Sequence, residues 1–126
     1  MSKFVLDEFN NVNGIITFYK LIDNEYCYWN EFCKSIQKEG VWVEQLDALI
    51  SQMNRVANLE SMPEKKYHPY STKVKGVIGF EFRTKDLRAY GIKDKKGNII
   101  ICAGKKNSQD DDETQFRSIV KRYSNS

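Results

Sequence analysis

Histidine, cysteine and glycine-rich loops, on which many recognisable active sites depend, are scarce in this 126-residue chain. It has one histidine, His68, and three cysteines, Cys27, Cys33 and Cys102, which lack the paired Cys-x-x-Cys spacing of a zinc site. A single histidine cannot form a metal cluster alone, and the chain has neither a Gly-rich phosphate loop nor a Ser/His/Asp motif. We therefore expect no metal ion and no cofactor, and we interpret the cysteines as small buried side chains.

Long hydrophobic runs are also absent. No apolar stretch approaches the roughly 20 residues that cross a bilayer, and Asp7 and Glu8 interrupt the segment where a signal peptide would be apolar. We therefore expect a cytoplasmic protein that does not bind membranes. The length, with 40% hydrophobic and 13% aromatic residues, favours one globular domain over residues 1–126, in which residues 1–14 form an extension or an extra strand.

Charge is distributed unevenly along the chain. Residues 1–62 carry five Lys/Arg and nine Asp/Glu, whereas residues 63–106 carry twelve Lys/Arg and four Asp/Glu. The last twenty residues carry three Lys/Arg and four Asp/Glu, so the segments contribute −4, +8 and −1 to the net charge of +3. Such a separation is typical of a surface that binds a polyanion or an acidic partner.

The first half of the chain predicts a β-hairpin and two helices. The runs at 4–6 and 15–19 are rich in β-branched and aromatic residues, and Asn13-Gly14 between them is a strong turn signal. Helical spacing of apolar residues predicts one helix from Asp23 or Asn24 to about residue 38 and a second over about 46–59. Gly40 ends the first helix, and the short connection predicts an antiparallel helix pair.

The second half predicts a loop over 64–76, three antiparallel strands and a final helix. The strands are predicted at 78–83, 87–93 and 98–104, with the last one apolar on both faces and hence central. The final helix spans about 110–123, with Ser108 as a possible cap and an acidic first turn at 110–113. The fold class is therefore α+β: an N-terminal strand or hairpin, a helix hairpin, a three-stranded β-meander and a C-terminal helix.

A two-residue turn at 85–86 would place Arg83 opposite Arg88 and Glu81 opposite Tyr90. Glu81, Arg83, Arg88 and Tyr90 would then share one face, because a shift by one residue would bury the arginines in the core. Two opposed guanidinium groups can bind a phosphate or be neutralised by Glu81, and Tyr90 offers a ring or a hydroxyl. Either an anion site or a purely structural Arg–Glu–Arg network fits this pattern.

Cleavage of RNA without a metal is chemically compatible with these residues. The 2′-hydroxyl can attack the adjacent phosphate while cations stabilise the added negative charge. His68, in the loop before the meander, is the one side chain that titrates near neutral pH and is a candidate acid–base group.

The order of these elements resembles the RelE/ParE superfamily of bacterial toxins, particularly its HigB-like, phage-associated branch. The resemblance covers about residues 15–123 and rests on several short segments taken together: 16–20 with 30–32, Ser-Thr-Lys-Val-Lys-Gly at 71–76, Phe-Glu-Phe-Arg at 80–83, Leu-Arg-Ala-Tyr at 87–90 and Gly-Lys-Lys at 104–106. It implies a RelE-like fold and a toxin of a type II toxin–antitoxin system that cleaves translated mRNA on the ribosome.

Site residues follow from the same resemblance. It implies that Arg83 and Arg88 stabilise the scissile phosphate, with Tyr90 as a secondary contact, and that four lysines bind RNA: Lys73, Lys75, Lys105 and Lys106. It also implies an inhibitory antitoxin, which we expect to be of the helix-turn-helix type.

Two positions and one segment depart from the family pattern and favour an alternative function. Gly79 and Glu81 stand where RelE-type nucleases carry lysines, and the loop after Lys106 becomes acidic at 110–113. The alternative is a catalytically inactive RelE-like module that binds RNA or an acidic protein. A ParE-like inhibitor of gyrase is a third possibility that no particular residue favours.

Overall fold

The structure is a computed structural model that describes residues 3–126. Met1 and Ser2, part of the predicted N-terminal extension, lie outside the described residues. The described residues form six strands and three helices, in the order β1 (Phe4–Glu8), β2 (Phe18–Asp23), α1 (Tyr28–Glu39), α2 (Val43–Ala57), β3 (Tyr67–Pro69), β4 (Gly79–Arg83), β5 (Leu87–Asp94), β6 (Gly97–Lys105) and α3 (Gln109–Ser124). A short 3-10 turn, Lys106–Ser108, connects β6 to α3. The predicted α+β class is confirmed.

The strands form one mixed sheet in the order β1-β2-β6-β5-β4-β3. All neighbours are antiparallel except β2 and β6, which run parallel. The prediction that the Ile-rich strand is central is confirmed, because β6 lies between β2 and β5 and its residues Ile99–Cys102 are fully buried.

The N-terminal hairpin forms with a different register from the one that Asn13-Gly14 suggested. β1 pairs with β2 from Phe4 opposite Asp23 to Glu8 opposite Tyr19, so residues 9–17 form a long connection rather than a tight turn. In that connection Gly14 lies against the end of α2, where a Cβ atom would come within 2.7 Å of the Ala57 backbone. The prediction of a strand at 15–17 is wrong, because Ile16 donates its N–H to the Ala57 carbonyl at the end of α2 instead of to a neighbouring strand.

The helix start predicted at Asp23 or Asn24 is also wrong. Asp23 still belongs to β2, and Asn24 and Glu25 turn the chain with φ angles of 49° and 72°, so α1 begins only at Tyr28. Its end is as predicted, with Gly40 in the left-handed conformation and its N–H bonded to the Ile36 carbonyl. Three residues then lead into α2.

The segment predicted as a loop over 64–76 contains a strand. β3 pairs with β4 and places Tyr67 opposite Phe82 and His68 opposite Glu81. The Tyr67 ring stacks on Phe82 with a centroid distance of 4.6 Å. A three-residue strand shows no periodicity in the sequence, so only its pairing with β4 reveals it.

Two hydrophobic clusters cover the two faces of the sheet. Helices α1 and α2 pack on one face, against Phe18, Phe80 and Phe82 among others. Helix α3 packs on the other face through Phe116, Ile119 and Val120. Ser108 occupies the residue before α3, but its hydroxyl bonds the Lys105 carbonyl and the Asp112 carboxylate and caps no backbone N–H. In residues 3–126, no helix combines the length and the apolar character that a bilayer crossing needs.

Candidate nucleic-acid interface

The predicted pairing of β4 and β5 is confirmed. Arg83 lies opposite Arg88 and Glu81 opposite Tyr90, across a turn in which the Thr84 N–H bonds the Leu87 carbonyl. Because side chains alternate along a strand, these four residues share the α3 face of the sheet. Phe80, Phe82 and Ala89 point to the opposite face and belong to the core beneath α1 and α2.

Glu81 is the centre of an ion-pair cluster on this face. It is fully buried, and its Oε1 atom lies 2.8 Å from Arg83 Nη2, 3.0 Å from Arg83 Nε and 2.9 Å from His68 Nε2. The other ring nitrogen of His68, Nδ1, lies 2.9 Å from the Glu64 carbonyl oxygen. Both nitrogens of His68 therefore face acceptors, and Glu81 holds His68 and Arg83 together on the sheet.

Arg88 is held in the protein rather than presented to solvent. It is 5% exposed, and its Nη1 atom donates to the Thr84 and Leu87 carbonyl oxygens at 2.5 and 2.8 Å. Burial and the neighbouring positive charge of Arg83 lower the pKa of its guanidinium. Its Nε atom is buried and has no hydrogen-bond partner among residues 3–126.

Tyr90, which the resemblance implies is a secondary contact, does not lie on an open surface, so its ring is not available to RNA in this structure. The residue is fully buried, and its ring lies between those of Tyr70 and Phe116, at centroid distances of 5.5 and 5.6 Å. Burial first, and then the nearby carboxylates of Glu81 and Glu113, raise the pKa of its hydroxyl. In the described part of the chain, neither this hydroxyl nor Glu81 Oε2 has a partner at full hydrogen-bond geometry.

Positive side chains gather where β4 ends, β5 begins and β6 ends. Lys105 at the end of β6 lies opposite Leu87 at the start of β5, and the Lys66 carbonyl accepts the Arg83 N–H. We call this end of the sheet the basic rim; it consists of Lys65, Lys66, Arg83, Lys85, Arg88, Lys105 and Lys106. The carboxylates at the same end are those of Glu39, Glu64, Glu81 and Asp86.

One helix residue fixes the β4–β5 turn against α2. Gln45 Oε1 accepts hydrogen bonds from the Thr84 hydroxyl at 2.6 Å and from the Asp86 N–H at 2.8 Å. Its Nε2 atom donates to the Asp86 carboxylate at 2.8 Å. The turn that carries Lys85 is therefore a rigid part of the rim.

Two clefts flank this turn. The first has a volume of about 450 Å³ and lies between α2 and the turn, lined by Ala48, Gln52, Lys65, Lys66, Arg83, Thr84 and Lys85. No carboxylate lines it, and within residues 3–126 its three lysines form no salt bridge. It therefore combines unpaired positive charge with a concave surface.

The second cleft, of about 320 Å³, is lined by Trp42, Asp86, Lys105, Lys106 and Asn107. Lys105 Nζ lies over the Trp42 ring, 5.4 Å from its centroid. The same atom contacts the two carboxylate oxygens of Glu39 at 2.5 and 2.7 Å. Lys106 is exposed beside it.

The structure separates the predicted RNA-binding lysines into two groups. Lys105 and Lys106 belong to the basic rim with Arg83 and Arg88. Lys73 and Lys75 lie between β3 and β4, beside a different cleft of about 510 Å³, at the opposite end of β4 from Arg83. Lys73 and Lys75 are therefore not part of the basic rim, because the connection between β3 and β4 lies at the opposite end of these strands from Lys65, Lys66 and Arg83.

Sequence reasoning missed several residues of the rim. Lys65 and Lys66 lie in a segment for which the sequence predicts only a loop. Gln45 lies in α2 and Trp42 directly precedes it, and the apolar residues of this helix form core. The sequence signal for Lys65 and Lys66 was the charge of the segment itself. The tertiary contact that brings it to Arg83 is the backbone pairing next to β3.

No group of three or more His, Cys, Asp or Glu side chains is arranged to hold a metal ion in the part of the chain that the structure covers. Comparison of the chain with protein-family models, with characterised proteins and with solved structures finds no match.

Proposed function

We propose that this protein binds RNA through its basic rim and acts as a RelE/HigB-like toxin of a type II toxin–antitoxin system. The observation that carries the proposal is the cleft between α2 and the β4–β5 turn, whose three lysines form no salt bridge with any carboxylate of residues 3–126. Lysines that are already paired must exchange a partner to bind phosphate, whereas these lysines release only bound counterions.

The shape and composition of the rim suit a single strand better than a duplex. Proteins that bind single-stranded nucleic acid combine a positively charged groove with aromatic rings beside it. Here the two clefts lie on either side of a rigid turn, and Trp42 lines the second one. As a toxin, the protein would act on mRNA on the ribosome and would be inhibited by an antitoxin of the helix-turn-helix type.

In the proposed cleavage, the 2′-hydroxyl of the RNA gives its proton to a solvent water as its oxygen attacks the adjacent phosphorus, and the bond to the 5′-oxygen breaks. Arg83, whose side chain is 35% exposed, is the guanidinium best placed to stabilise the negative charge on the phosphate. His68, whose side chain is 21% exposed, is the candidate donor of a proton to the leaving oxygen, and it must release Glu81 or Glu64 to do so.

A second candidate function is binding without cleavage. It is favoured by a specific observation: His68 and Arg88 are engaged by the protein itself, and Tyr90 is buried. In this case the rim holds RNA or an acidic protein, and the Glu81 cluster only stabilises the sheet.

Expression in bacteria and binding to RNA together test the proposal. Expression of the chain alone should arrest growth, and Lys65→Ala/Lys66→Ala should relieve the arrest and weaken binding to single-stranded RNA by roughly tenfold, with a reduced dependence on salt. Lys95→Ala/Lys96→Ala is the matched control, because these exposed lysines lie in the β5–β6 turn, at the end of β5 and β6 that is opposite to the basic rim.

The outcomes separate the candidates. Growth arrest with cut mRNA supports the toxin, and binding with steep salt dependence but no cleavage on ribosomes supports the binding module. RNA binding that is equally weakened by both double variants, or no RNA binding at all, would reject the rim as the interface.

A further inference from the structure

Trp42 occupies an unusual position for a large aromatic side chain. It precedes α2, packs partly against the core below α1 and α2, and also lines the second cleft of the basic rim. The ring is therefore held by the core yet reaches a surface that carries Lys105 and Lys106. Such a fixed aromatic ring beside cations is the arrangement on which a base of single-stranded nucleic acid stacks.

Lys105 covers this ring and is itself paired with Glu39. Lys105 Nζ lies over Trp42 and is held there by the carboxylate of Glu39, at the last residue of α1. The side chains of Lys105 and Glu39 are 28% and 40% exposed, so the ion pair lies at the surface and is weak. A phosphate group offers Lys105 the same charge-assisted hydrogen bonds that Glu39 provides.

We propose that Trp42 is a base-stacking platform and that the Lys105–Glu39 ion pair covers it until RNA binds. A phosphate of the incoming strand takes over Lys105 from Glu39, Lys105 moves away from the ring, and the adjoining base stacks on Trp42. This inference rests on the proposed RNA binding, and it assigns a role to two residues, Trp42 and Glu39, beyond the phosphate contacts of the lysines.

The first test compares two substitutions of Trp42 on two probes. Trp42→Leu retains an apolar side chain but removes the ring, whereas Trp42→Phe retains a ring. The probes are a twelve-residue oligouridylate and a ribose-phosphate oligomer of the same length without bases. Trp42→Leu should weaken binding of the oligouridylate by roughly tenfold and leave binding of the abasic oligomer unchanged, and Trp42→Phe should recover most of the loss.

The second test examines the ion pair between Lys105 and Glu39. Glu39→Gln frees Lys105 and should tighten binding of the oligouridylate by up to about fivefold, which corresponds to the strength of an exposed ion pair. Glu31→Gln is the matched control, because Glu31 lies on the same helix and pairs with the exposed Lys34. It makes the same change in net charge and should leave binding within about twofold of the wild type.

Fluorescence reports on the ring directly. Trp29 is 3% exposed in the core, so the signal of Trp42 is obtained as the difference between the wild type and Trp42→Phe. Stacking should quench this difference signal with the oligouridylate but not with the abasic oligomer.

The inference is overturned if Trp42→Leu weakens binding of the oligouridylate and of the abasic oligomer equally. It is also overturned if the Glu39→Gln variant binds the oligouridylate no more tightly than the Glu31→Gln variant does. In either case the wild-type protein would still bind RNA in a salt-dependent manner, so the proposed function would stand. Failure of the proposed function has a different signature, since the wild-type protein would then bind neither probe.

Discussion

Replacement of the buried carboxylate of Glu81 should strongly destabilise this protein. Glu81 is fully buried and pairs with the guanidinium of Arg83, and the Arg83 Nη2 and His68 Nε2 atoms lie 2.8 and 2.9 Å from its Oε1 atom. Removal of one partner from a buried ion pair costs about 3–5 kcal/mol, because the remaining charge loses its counter-charge. The Arg83 and His68 side chains are 35% and 21% exposed, so water compensates in part and places Glu81→Gln near the lower limit.

We therefore expect Glu81→Gln to reduce the free energy of unfolding by about 3 kcal/mol and to lower Tm by roughly 10 °C. Urea denaturation followed by tryptophan fluorescence measures the first quantity, and calorimetry measures the second. The double variant Glu81→Gln/Arg83→Gln removes the unpaired guanidinium as well, so the two substitutions should be non-additive by about 1 kcal/mol or more.

An exposed pair provides the matched control for this experiment. Glu60 pairs with Arg55 at 3.5 Å, and its side chain is 57% exposed. Glu60→Gln should change the free energy of unfolding by less than about 0.5 kcal/mol. If Glu81→Gln is no more destabilising than Glu60→Gln, the Glu81 cluster does not stabilise the sheet and our reasoning is refuted.

Three further predictions test other parts of the structure. Arg122→Ala should reduce stability by about 2 kcal/mol in urea denaturation, because Asp23 is 5% exposed and loses a bidentate partner; an effect no larger than that of Lys121→Ala would contradict this. Gly79→Ala should reduce it by about 2 kcal/mol or more, because a Cβ atom would lie 2.4 Å from the Tyr70 carbonyl oxygen, and an unchanged midpoint would disprove the close approach. Burial raises the pKa of the Cys33 thiol to about 11. Mass spectrometry between pH 7 and 9 should therefore show that this thiol is alkylated about a hundredfold more slowly than in unfolded protein, with a rate that rises tenfold per pH unit. A rate that reaches a plateau near pH 9 would be incompatible with that pKa.

The alternation of residues in the meander was sufficient to predict the pairing at the candidate site. Buried arginines are costly, so the predicted register of β4 on β5 keeps Arg83 and Arg88 off the face that α1 and α2 cover, and the structure has that register. The same reasoning could not show that the second face is covered as well. Helix α3 and Tyr70 bury Tyr90 there, and contacts between residues so distant in sequence leave no local pattern.

The wrong predictions of a tight turn at Asn13-Gly14 and of a strand at 15–17 have a related cause. Asn13-Gly14 is a strong local turn signal, but the hydrogen bonds of Ile16 with α2 and of β1 with β2 outweigh the local preference. Local propensities amount to less than about 1 kcal/mol per residue, whereas each sheet register fixes many hydrogen bonds and buried side chains at once.

The sequence by itself determined the fold class, the central position of the Ile-rich strand, the two apolar faces of the helices and the concentration of positive charge in residues 63–106. These properties depend on periodicity and composition, which each segment carries alone. Only the tertiary structure decided which charges meet. It placed Lys65 and Lys66 beside Arg83, moved Lys73 and Lys75 to the far end of the sheet, paired Lys105 with Glu39 over Trp42, and buried Glu81 between His68 and Arg83. Electrostatic interactions depend on distance and burial, and both are set by how the segments pack rather than by their order in the chain.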